Sequence, residues 1–152
     1  HFADLETMKL EPAHARLSAY FNYDSGTGKI RGIHLQGNEW ARPIFEAYLA
    51  PFHYLGAETV TTENTTGTDH MVFDAVGLPA FTFIQDPVDY TKLTHHTDQD
   101  VYDRLVEEDL MQSAVIMASF AYHTAMRDEL LPRKKLPLMR ADDQETSAAE
   151  PN

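Results

Sequence analysis

The chain has 152 residues, 43 % of them apolar, a length that suits one domain with a sizeable core. Its formal net charge of −12 leaves no basic stripe to displace phosphate counterions, which argues against nucleic acid as a partner. Cysteine is absent, so disulfides, thiolate metal sites and cysteine nucleophiles are excluded, and any metal must rest on His, Asp and Glu.

No apolar run is long enough to span a membrane, and no membrane partner is expected. The opening HFADLETMKL has neither an initiator Met nor a signal-like segment and reads as the interior of something longer, so a domain fragment is the expectation. Glu11 to Arg16 is compatible with a helix but short. Ser18 to Tyr23 alternates as strands do and breaks at Asp24-Ser25-Gly26-Thr27-Gly28, a turn. Ile30 to Leu35 is a second strand.

Asn38 is placed to cap a helix over Glu39 to Leu55, with Gly56 just past its end. Trp40, Ile44, Tyr48 and Phe52 would share its apolar face, and Pro43 and Pro51 predict a kink or a late start. Thr59 to Thr62 reads as a short strand, Asp69 to Val76 as a short helix, and Ala80 to Gln85 as a strand launched by Gly77-Leu78-Pro79. Asp86 to Thr97 is loop-like.

Glu107, Glu108 and Asp109 suit the positive end of a helix dipole and open a core helix reaching about Leu130. Its inner face is expected to carry Leu110, Ala114, Met117 and Ala121, widened by Val115, Ile116 and Phe120. Its methionines read as packing. Residues 132–152, rich in Pro, charge and small polar side chains, read as a disordered or extended tail. Strands alternating with helices predict an α/β layered domain with a mainly parallel sheet flanked by helices.

The chemistry-bearing residues are Asp24 at a strand end, Asp69-His70, and His95-His96-Thr97 with Asp100 beyond. Histidine is the commonest metal ligand, and a nearby carboxylate is a frequent partner for its other ring nitrogen. Taken alone, Asp24 also reads as a turn aspartate, Asp69 and His70 as a satisfied buried pair, and Asp100 as a helix or turn cap.

The ordered set NYD (Asn22 to Asp24), TDH (Thr68 to His70), GLPA (Gly77 to Ala80) and HHTxxD (His95 to Asp100) resembles the last third of the co-catalytic zinc exopeptidases. These form metallopeptidase family 28, with its bacterial aminopeptidases and glutamate carboxypeptidase-like enzymes. The resemblance implies that residues 1–131 are the C-terminal portion of a catalytic domain, incomplete on its N-terminal side. It implies that Asp24 binds one of two zinc ions and His96 the other. Asp69, His70, His95 and Asp100 would line the substrate rim or support the ligands.

The family's upstream His, bridging Asp and Glu-Glu pair, which includes the general base, would lie further ahead of Asp24 than the 23 residues available. Glu107-Glu108 sits at a helix start and does not replace that pair. No catalytic residue is therefore assigned here, and the chain alone is expected to be inactive with incomplete zinc sites. Where aminopeptidase members carry an oxyanion-stabilising Tyr, this chain has Asn64-Thr65-Thr66-Gly67, and its HHT and IQDP runs lean towards the glutamate carboxypeptidase-like branch.

The resemblance further implies a peptide substrate, a periplasmic or extracellular location, and self-association through the open face of a truncated domain. The open face is expected on the sheet or on the helix over Glu39 to Leu55. The alternatives are a non-catalytic binding domain of the same fold, as in transferrin-receptor-like relatives, and a free-standing α/β binding module.

Overall fold

Four short strands whose aromatic and β-branched residues suit a pleated surface form one mixed sheet, ordered β3-β6-β4-β5. They are β3 (Tyr20–Asn22), β4 (Ile30–His34), β5 (Thr59–Thr61) and β6 (Ala80–Gln85). The computed structural model describes residues 3–4 and 9–135. A two-residue antiparallel pair, β1 (Ala3–Asp4) and β2 (Lys9–Leu10), precedes helix α1 (Pro12–Arg16). Helices α2 (Arg42–Leu49), α3 (His70–Asp74) and α4 (Glu107–Ala125) complete the layers.

β3 runs parallel to β6 and β4 parallel to β5, so the sheet is mainly parallel; the central β4–β6 join is antiparallel. Strand alternation divides the two faces. Phe81 and Phe83 of β6 point to one side and join Phe21, Phe45, Leu49, Ile116 and Phe120 in the core under α2 and α4. Thr82 points to the other side and meets α3, where Tyr20 of β3 also stacks on Phe73 with ring centroids 4.2 Å apart.

The helix expected over Glu39 to Leu55 is three pieces, a 3-10 turn Glu39–Ala41, α2, and a second 3-10 turn Ala50–Leu55 ended by left-handed Gly56. Pro43 falls in the first turn of α2 and Pro51 in that of the second 3-10 segment, where a missing N–H costs least. The expected cap is corrected. Asn38 makes no capping bond, and its Nδ2 donates instead to the Pro132 carbonyl at 2.7 Å. Ala41, Phe45 and Leu49 form the buried stripe, flanked by half-buried Ile44, Tyr48 and Phe52, while Trp40 faces solvent.

The inner face of α4 is corrected in part, Ile116 and Phe120 lying on it as expected. Gln112, Ser113, Ile116, Phe120 and Thr124 point inward, Leu110 and Met117 are half-buried, and Ala114, Val115 and Ala121 are exposed. A helix apolar nearly all round has no strong rotational preference of its own, and here a polar contact adds to the packing of Ile116 and Phe120 in the core. The Gln112 amide accepts from the Ile30 N–H at 3.0 Å and donates to the Ile30 carbonyl at 2.9 Å. That contact serves β4 where its register with β6 shifts. Met111, Val115 and Tyr122 of α4, with Met126 just past its end, face outward, so α4 carries exposed apolar side chains; Met117 packs on the core, as expected of the methionines, and Met111 does not.

Residues 131–135 have no regular secondary structure but are tied to the domain. Leu131 is buried, Arg133 donates to the His14 and Leu17 carbonyls, and Lys134 donates to the Gln36 carbonyl and pairs with Asp74 at 2.8 Å. The remainder of the stretch read as a tail, 136–152, lies outside the described residues.

Candidate functional site

Because β3 and β6 are parallel, their carboxyl ends lie side by side, the place where open α/β sheets gather ligands. Asp24 follows the end of β3, and the chain beyond β6 returns through a wide π-helical turn, Tyr90–Thr94, to His95 and His96. A cleft of about 430 Å³ opens there, lined by Asp24, Gly26, Tyr90, His95, His96 and Asp100 among others. Two sequence segments far apart in the chain thus bring Asp24, His95, His96 and Asp100 to one cleft.

The turn carrying Asp24 is fixed from β6. Gln85 Oε1 accepts from the backbone N–H groups of Asp24 at 3.2 Å and Ser25 at 3.0 Å, and Gln85 Nε2 donates to the Gly26 carbonyl at 2.9 Å. The Asp24 carboxylate is exposed and receives no hydrogen bond from another described residue, so its oxygens stay available. Its charge reaches two phenols. Burial pushes the Tyr90 hydroxyl above its ordinary pKa, with Asp24 and Asp100 adding to the shift. Tyr20 moves the same way through burial, Asp69 and Asp24.

The rings of His95 and His96 lie 3.9 Å apart, and His95 lies 4.7 Å from Tyr90. His96 holds a left-handed backbone, φ +57, uncommon for a residue with a side chain. Asp69 and His70 sit away from the lining of this cleft. Asp69 is exposed; His70 is fully buried between Thr82 Oγ1, 2.8 Å from its Nδ1, and Gln36 Nε2, 2.9 Å from its Nε2. With Gln36 donating, the Nδ1 proton goes to Thr82, and the imidazole joins β6 to the turn after β4. Thr68 is the link from that segment to the site, accepting from Asn22 Nδ2 at 2.8 Å.

An Asp carboxylate and His imidazoles are oxygen and nitrogen donors of the kind zinc takes. Among the described residues, no group of three or more His, Cys, Asp or Glu stands ready to hold a metal by itself. The donor chemistry of Asp24, His95 and His96 therefore suits a metal, while the described residues alone bring no such group of three together. Tyr90, Gly26 and Gln85 are the site residues that sequence reading missed. Their one signal is position, Tyr90 five residues before His95 and Gln85 at the end of the best-marked strand.

Comparisons with known proteins bear on the family alone. The family model described as Peptidase family M28 matches residues 1–121. A solved structure, a peptidase M28 precursor from Shewanella amazonensis SB2B, is 28 % identical over 76 % of this chain, with a TM-score of 0.64. The chain spans 27 % of that structure's length. No curated protein matches. With its cleft at the carboxyl ends of β3 and β6 and a family model matching most of its length, the chain belongs to peptidase family M28.

Proposed function

We propose that the chain supplies the C-terminal part of a zinc-dependent exopeptidase site, in which Asp24 and His96 donate to paired zinc ions. The observation that carries the reading is the meeting of Asp24 and His96, 72 residues apart, in one cleft beyond parallel strand ends. Zinc bound there would supply Lewis acidity and an activated water. The chain's own residues have narrower tasks. Gln85 orients the Asp24 turn, Tyr90 and Thr94 wall the cleft, and Asp100 adds negative charge at its rim.

A general base and the remaining ligands come, on this reading, from residues outside this chain, so the 152 residues alone are inactive. The proposal extends, on family analogy, to a periplasmic or extracellular protein acting on a terminal peptide bond. The test is a polypeptide extended upstream to carry an H-x-D and a Glu-Glu pair, assayed on amino- and carboxy-terminal chromogenic peptides. Zinc-dependent cleavage lost in both Asp24→Ala and His96→Ala is the expected result. Two bound zinc ions with no cleavage of either peptide set would replace it with the binding-domain reading.

A further inference from the structure

Asp24 and His96 belong to segments with no hydrogen bond between their side chains, and His95 and His96 are exposed. A run of tilted ring contacts, with Gly26 at one end, joins the two segments. Tyr90 packs against Gly26, so closely that a Cβ on Gly26 would lie 3.1 Å from both Cβ and Cδ2 of Tyr90. The Tyr90 ring also meets His95, and His95 meets His96, each pair tilted.

The wide turn makes this possible. The His95 N–H donates to the Tyr90 carbonyl at 2.9 Å, closing residue i on i+5, whereas an α-helical turn would close on Thr94. Such one-turn π segments often mark functional positions. The left-handed backbone of His96 carries a conformational cost, and it persists where packing around it fixes the geometry.

We propose that Tyr90 is a positioning residue of this cleft, its side chain packed where Gly26 lacks a Cβ and its ring in contact with His95, and through it His96, so as to hold His96 in register with Asp24. The placement rests on the ring contacts; its consequence for metal rests on the reading of Asp24 and His96 as donors. The phenyl ring does the positioning, so Tyr90→Phe keeps it and Tyr90→Ala removes it.

The test compares the chain with its Tyr90→Phe and Tyr90→Ala variants by imidazole-detected NMR, alone and titrated with zinc ion. In the parent and Tyr90→Phe, the His95 ring protons are expected upfield, with cross-relaxation to the residue-90 ring. The zinc dissociation constants of these two should agree within about twofold. Tyr90→Ala is expected to lose the shift and to bind zinc about tenfold more weakly, a change of 1.4 kcal/mol.

If Tyr90→Ala does not fold, Tyr90→Leu, which keeps bulk without the ring, takes its place. A folded ring-less variant with unchanged His95 and His96 signals overturns the inference, as does one that loses the ring contact and binds zinc as tightly as the parent. Were zinc to leave His96 undisturbed in the parent, the donor reading would fail. The ring-shift comparison would still decide whether Tyr90 positions the loop.

Discussion

Gln85 holds the backbone of Asp24 from the neighbouring strand: its Oε1 accepts the Asp24 N–H at 3.2 Å, while its Nε2 donates to Gly26 two residues on. One amide thus ties the end of β6 to the turn that presents the candidate ligand. Replacement by Ala removes three hydrogen bonds to that turn. Since the turn is partly solvated, Gln85→Ala should cost about 1 kcal/mol in stability. It should also broaden the amide signals of Asp24 to Gly26, measured by urea titration and NMR linewidths.

Gln112 makes the corresponding contact in the core. Both its amide groups serve Ile30, which is fully buried. Gln112→Leu keeps the volume and leaves the Ile30 N–H and C=O without these partners, a cost of about 1–3 kcal/mol for each unsatisfied group. Thermal unfolding is expected to show a large drop in Tm, and a Tm within a degree of the parent would show that α4 is oriented by something else.

Arg31 and Asp86 join β4 to the end of β6 through a forked pair, Nε at 2.9 Å from both carboxylate oxygens and one terminal nitrogen at 2.6 Å. The hydrogen bonds from Arg31 lower the Asp86 pKa, so the folded state holds its proton less tightly than the unfolded chain. The resulting stabilisation is full above the unfolded value near 3.8 and is lost as pH falls through the lower folded one. Both side chains are 37 % exposed, which limits the gain to about 1 kcal/mol or less. Asp86→Asn should therefore lose that increment at neutral pH and match the parent below the folded pKa, as followed by urea titration at a series of pH values.

The outward face of α4 carries Met111 at 62 % and Tyr122 at 61 % exposure, with Val115 between them. Contiguous apolar surface of this kind promotes association. The isolated chain is expected to sediment faster with rising concentration and to bind a hydrophobic dye, and Met111→Glu with Val115→Glu to abolish both.

How far the sequence reveals this molecule depends on the range of the interaction concerned. Ala80 to Gln85 is legible because an apolar, β-favouring run stands between Pro79 and Asp86-Pro87, all local signals. The start of α4 is legible from its three acids, whereas its rotation is not, because the Gln112–Ile30 contact crosses 82 residues. Residues 133 and 134 read as part of a tail by composition, yet Arg133 and Lys134 find carbonyls of α1 and of the turn after β4. At the site, Asp24 and His96 stand out through the ordered motifs. Gly26, Tyr90 and Gln85 do not, since each acts through a partner on the other segment.

The central claim is that Asp24 and His96 are metal donors of an incomplete set. Zinc titration of the 152-residue chain by calorimetry, beside Asp24→Ala and His96→Ala, tests it most directly. A catalytic zinc ordinarily takes three protein ligands, so binding weaker than about 1 µM is expected, further reduced in each variant. Submicromolar binding abolished by His96→Ala would mean that the set is complete within this chain, and binding indifferent to both substitutions would mean that neither residue is a donor.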